Sequence, residues 1–141
     1  MNLSPHFTLA EMTVSQTAAR NGIDNTPTHE VLARMRKTAQ GLEGVRIVLG
    51  GAPIIISSGY RSPAVNAAVG GAKASQHLTG EAVDFTAPRF GSVVDVFDAI
   101  RRSGIKYDQI IQEFGSWVHI SFSDKPRGQA LIIDSNGTRP A

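Results

Sequence analysis

The chain has 141 residues, 14 Lys+Arg against 12 Asp+Glu, and no cysteine. At about 100–200 residues per domain this length predicts one domain, 1–141, large enough to bury a core without staples. The missing cysteine excludes disulfides, Cys-type zinc fingers, iron–sulfur clusters and a thiol nucleophile, so any metal must be held by His, Asp, Glu or backbone oxygen.

A net charge of +2 with only 6% aromatic residues offers neither the basic cluster nor the stacking residues of a nucleic-acid surface. No apolar run approaches the ~20 residues that span a membrane. Met1 to His6 shows no basic-then-apolar leader. Synthesis in the cytoplasm without a signal peptide is therefore expected. The chain is taken to act as a monomer.

Thr8 followed by Glu11 has capping-box spacing and predicts a short helix that fades before Asn21-Gly22. Thr26-Pro27 reads as an N-cap followed by proline at the first helical position. Behind it Val31, Leu32, Met35, Ala39, Leu42 and Val45 recur at helical spacing, up to Gly50-Gly51. Ile54-Ile55-Ile56 predicts a short buried strand. Ser57 to Ser62 leaves it as a loop, Pro63 to Val69 can form a helix, and Ala72 to Gly80 has no periodicity. Glu81 to Thr86 is a second strand, with Ala82, Asp84 and Thr86 on one face and Val83 and Phe85 on the other. Ser92 with Asp95 starts another helix, Val93, Val94, Phe97 and Ile100 pointing inward. Strands are expected over Tyr107–Glu113, Trp117–Phe122 and Gln129–Ile133, with a turn at 114–116 and a frayed tail over 135–141. This order predicts an α+β fold with a mainly antiparallel sheet flanked by helices.

Of the four histidines, His6 and His29 read as surface residues. His77 lies in the irregular segment, and Asp84 follows seven residues later inside an apolar strand. Burying a bare carboxylate is costly, so Asp84 needs a partner. His119 lies mid-strand between Val118 and Ile120. Two histidines and a carboxylate make a three-ligand set for zinc with one position left for water. Asp84 could instead cap a turn, and His119 could be a satisfied core residue. Spacing alone does not bring positions 77 and 119 together.

The run Ser75-x-His77-x-x-Gly80-x-Ala82-x-Asp84, followed by Trp117-x-His119, resembles the zinc D,D-peptidases and L-alanyl-D-glutamate peptidases, the M15 peptidases, whose fold is shared with the hedgehog signalling domain. Gly59-Tyr60-Arg61-Ser62 is similar to the G-Y-R-S/T segment of that family. Phe7 to Glu11 with Gly22 to Asn25 resembles its short, single-domain phage and prophage branch. The resemblance implies a zinc ion on His77, Asp84 and His119. Many relatives place the general base three residues before the last histidine, where Ser116 stands here. Glu113, six residues before it, matches the glutamate of hedgehog-type and short phage relatives and is the implied base. Arg61 is implied to bind a substrate carboxylate or the developing oxyanion. Ser75 is expected to touch substrate or orient a ligand, and Tyr60, Gln76 and Trp117 to line the cleft.

The implied activity is hydrolysis of amide bonds in peptidoglycan stem peptides by a phage or prophage lysin, acting on the cell wall after holin-type release or as part of a virion. Two alternatives are a D-Ala-D-Ala carboxypeptidase and a non-catalytic zinc-bound binding module of hedgehog type. Ser103-x-x-Lys106 has the spacing of a penicillin-binding-protein motif, but Gly104 breaks its helical register and no S-D-N or K-T-G accompanies it.

Overall fold

The computed structural model describes residues 1–141. A short hairpin, β1 (Asn2–Ser4) and β2 (Phe7–Thr8), opens the chain. The single expected helix after Thr8 is two, α1 (Leu9–Met12) and α2 (Gln16–Asn21). Thr8 and Glu11 form the capping box as read, and Ser15 caps α2 separately by accepting from Ala18 N. The long helix is α3 (His29–Val48). Its N-cap is Thr28 rather than Thr26. The Asp24 carboxylate accepts from Thr26 N at 2.9 Å, a local turn that holds Thr26 outside the helix.

Next come β3 (Ile55–Ser58), α4 (Pro63–Ala68), β4 (Ala82–Thr86), α5 (Val93–Arg102), β5 (Gln109–Glu113), β6 (Trp117–Ser121), β7 (Gln129–Asp134) and β8 (Gly137–Pro140). The expected frayed tail is thus β8, paired antiparallel with β7. Arg139 grips Asp134 with two hydrogen bonds, of 2.9 and 2.8 Å, across that hairpin. The α+β expectation holds: one six-stranded sheet runs β3-β4-β6-β5-β7-β8. Every pairing is antiparallel except β5 with β7. That exception follows from connectivity. β6 returns antiparallel to β5, and residues 122–128 then cross the start of β5 before β7 begins.

Strand alternation divides the sheet into two faces. Val83 and Phe85 of β4, Val118 and Ile120 of β6 and Ile110 of β5 join one core with Met35, Ala39, Leu42 and Val45 of α3 and Val96, Phe97 and Ile100 of α5. Val94 is 46% exposed; Val96 takes the inward place expected for it. The opposite face carries Asp84, His119, Ile111 and Glu113, as the registers Asp84↔His119 and Ile111↔His119 require. Fold and site therefore share the same three strands.

Ile120 is fully buried on β6 between strands β4 and β5. Its truncation leaves a cavity that neighbours on both sides cannot close. Ile120→Ala is expected to lower unfolding free energy by about 2–5 kcal/mol, read as a lower urea midpoint with an unchanged slope.

Candidate metal centre

Two ligands come from paired strands and the third from irregular chain. Asp84 stands mid-strand in β4, and antiparallel register sets it opposite His119 in β6. His77 comes from the segment between α4 and β4, which is turns and irregular chain. Three donor atoms converge. His77 Nε2 lies 3.3 Å and His119 Nδ1 2.9 Å from the same oxygen, Asp84 Oδ1. The two imidazole rings meet edge-on, 5.2 Å apart at 66°. All three residues are buried.

This donor set fits zinc. Ligands held tetrahedrally about 2.0–2.1 Å from the ion stand roughly 3.3 Å apart; His77 Nε2 has that spacing from Asp84 Oδ1, and His119 Nδ1 is closer, at 2.9 Å. The set is two nitrogens and one oxygen within 4.8 Å of one another. His77 is also fixed in tautomer. Its Nδ1–H donates to Gly59 O at 2.7 Å, which leaves Nε2 free to ligate.

Burial alone would push the Asp84 carboxyl up. Hydrogen bonds and positive charge from His119 and His77 outweigh that and hold it well below the usual carboxylate range. The Arg61 Nη2 stands 3.8 Å from the other oxygen, Asp84 Oδ2. The Arg61 backbone N–H donates to His77 O at 3.0 Å, and its side chain reaches Ser58 Oγ and Asn66 Oδ1, both at 3.4 Å. The guanidinium is mostly covered but borders a 250 Å³ pocket with Val14, Ser15, Ser58 and Val69.

Glu113 ends β5 on the ligand face, across from Trp117. Burial and then the Asp84 charge push its carboxyl above the ordinary value. The charges of His119 and His77 and the nearby indole N–H of Trp117 oppose the rise without cancelling it. Trp117 Nε1 is buried and meets hydrogen-bond geometry with no partner, so it acts on Glu113 as a close dipole rather than through a formed bond. The turn between the two strands contains Phe114 in the left-handed region, φ 57°, with Gly115 at φ 63°. Phe114 is 55% exposed and tilts against Trp117 at 6.2 Å.

The remaining expected site residues separate. Ser75 Oγ accepts from His77 N at 3.2 Å, so it orients a ligand's backbone. Gln76 turns to Asp108, donating to its carboxylate at 2.9 Å. Tyr60 does not line the cleft: it is 5% exposed and belongs to the core. Its N–H donates to Met12 O at 2.8 Å, which docks this segment on α1 and turns the ring inward. Asn25, read from the sequence only as part of the family-like segment 22–25, has an anchoring role that its pattern did not announce. Its amide donates to Thr13 O and Tyr60 O, and its Oδ1 accepts from Ser62 N. An asparagine in a turn-rich stretch looks like any loop residue, and only the fold shows it holding the Arg61 segment.

Three converging ligands with a further carboxylate on the sheet face of two of them are the arrangement of a metal-dependent hydrolase. A family model described as Peptidase M15 matches residues 5–121, and the chain belongs to the M15 peptidases. It is a metallopeptidase. A search of curated proteins finds no match to the chain.

Gly59 binds these features together. A Cβ there would collide with the Met12 carbonyl, while its own carbonyl holds His77. Gly59→Ala is expected to cost about 1–3 kcal/mol of stability through overpacking. It should also weaken zinc binding, because the backbone that must shift carries the His77 acceptor. A melting curve and a chelator competition on one preparation read both effects.

Proposed function

We propose that the chain is a zinc endopeptidase of peptidoglycan stem peptides, serving a phage or prophage as a cell-wall lysin. The observation that carries the catalytic part is the placement of Glu113 on the ligand face, two residues along β5 from the partner of His119. His77, Asp84 and His119 would hold the zinc. Bound there, zinc supplies Lewis acidity, polarising the scissile carbonyl and making water a nucleophile near neutral pH.

The chain's own residues do the rest. Glu113, whose carboxyl is raised by burial, is a better base than a solvated glutamate. It takes the proton from the attacking water and passes it to the leaving amine. Arg61 stands 3.8 Å from Asp84 Oδ2 and borders the neighbouring pocket, so its N–H groups are the ones to pair with a substrate carboxylate or the oxyanion of the tetrahedral intermediate.

Cleavage within a peptide is favoured over removal of a terminal residue. The ligand face does not end at Glu113. The parallel register Ile111↔Leu131 and Glu113↔Ile133 carries it onto β7, where both side chains are half-buried and outside the main core. With Arg61 on the β3 side of the ligands and Leu131 and Ile133 on the β7 side, the arrangement supports the reading of a chain that runs past the centre in both directions.

Digestion of purified muropeptides followed by mass spectrometry tests the reading, since product masses identify the bond. Cleavage of an internal stem-peptide bond by the zinc-loaded protein is expected. Release of terminal D-alanine alone would make it a carboxypeptidase, and no cleavage would leave a binding module.

Glu113→Gln should retain zinc and melting temperature but lose about 10²–10⁴-fold in turnover. Near-wild-type turnover would assign the base elsewhere. Arg61→Lys keeps a charge but loses the planar fork. A drop of roughly 10²-fold in kcat/KM is expected if an oxyanion contact is lost, with zinc content near wild type. Equal kinetics would confine Arg61 to its ion pair with Asp84.

A further inference from the structure

Asp108 is a buried carboxylate for which the chemistry above has no use. It is 3% exposed and stands just before β5. Its Oδ1 accepts from the Arg127 backbone N–H at 2.9 Å and from Arg127 Nε at 3.0 Å. Its Oδ2 accepts from Arg127 Nη2 at 2.8 Å and from Gln76 Nε2 at 2.9 Å. Along the backbone, Asp108 N–H donates to Ser121 O at 2.8 Å and Asp108 O accepts from Gln129 N at 3.0 Å.

The two ends of this network lie beside two metal ligands. Gln76 immediately precedes His77, and Ser121 lies two residues beyond His119 on the same strand. The segment 72–80 has no helix or strand of its own. The Gln76 side chain makes its one hydrogen bond to residues of the β5–β6 half of the sheet. The Arg127 fork by itself closes the 122–128 crossing and neutralises the carboxylate. The Gln76 bond adds nothing to that closure. It does span the gap between the segment carrying His77 and the strand carrying His119.

We propose that Asp108 is a positioning residue for the metal centre, holding His77 at a fixed offset from His119 through Gln76. This rests on the reading of His77, Asp84 and His119 as a zinc site. Groups that orient ligands from behind typically change metal affinity by about 10–100-fold when removed.

The test measures zinc dissociation constants by chelator competition, with melting curves of the metal-free proteins beside them. Gln76→Leu removes the bond to His77's segment and leaves Asp108 paired with Arg127. Arg127→Met removes the charged partner and leaves the Gln76 bond. The expected result is a zinc dissociation constant raised about 10–100-fold in Gln76→Leu with a metal-free melting temperature near wild type. Arg127→Met should melt lower yet bind zinc close to the wild-type value. Unchanged affinity in Gln76→Leu, or an equal loss in Arg127→Met, overturns the proposal. So does a Gln76→Leu protein whose metal-free form melts far below wild type, because the bond would then be a stability contact. A wild-type protein that binds no zinc would overturn the metal site itself and this inference with it, an outcome distinct from the other three.

Discussion

A carboxylate in the middle of a buried strand must be paired or it destabilises the fold. Asp84 is that group here. Two imidazoles approach one of its oxygens and a guanidinium the other. Meeting that demand requires β4 to lie against β6 in one register, since a slip by one residue would put His119 on the core face and leave Asp84 facing an apolar side chain. It also requires an irregular segment to return His77 to the same point, and the loop after β3 to bring Arg61. The same contacts that make Asp84 tolerable assemble a ligand set.

The two faces of the sheet divide the labour. The face against α3 and α5 is close-packed and apolar and supplies stability. The other carries charges that the first could not accommodate, and it stays partly open beyond Glu113. The Glu113–Trp117 turn sits at the edge of that opening with a phenylalanine in a left-handed backbone. Such strain is retained where surrounding contacts over-determine it, often at functional sites. Here Phe114 N donates to Ile133 O and Gly115 N to the Gln112 side chain, so the turn is held from both sides.

Irregular chain around a reactive centre needs the rigidity that helices and strands provide elsewhere. Polar side chains supply it. Asn25 holds the Tyr60–Ser62 backbone, Asn66 donates to Ala72 O, Thr38 donates to Gly80 O, and Asp108 gathers Gln76 and Arg127. Each satisfies backbone or side-chain groups that would otherwise be buried without partners.

Features governed by neighbours in the chain could be read from the sequence itself. The Thr8–Glu11 and Ser92–Asp95 caps, the alternation along β4 and the motif carrying His77, Asp84 and His119 depend on spacings of a few residues or on a recognisable pattern. Even local signals failed where two competed: Thr26 and Thr28 both suit an N-cap, and the Asp24 turn decided between them. The rest depended on partners far along the chain. Residues 135–141 are polar and rich in turn formers, and they form a strand only because β7 offers an edge. Tyr60 looked like a cleft aromatic until docking on Met12 turned it inward. Nothing near Asp108 in the sequence announces Gln76, 32 residues earlier, or Arg127, 19 later. The sequence by itself determined the chemistry available: a cysteine-free ligand set, an acid and an arginine. Tertiary structure alone decided that they meet, because convergence rests on strand register and loop anchoring, which arise from contacts between residues distant in the chain.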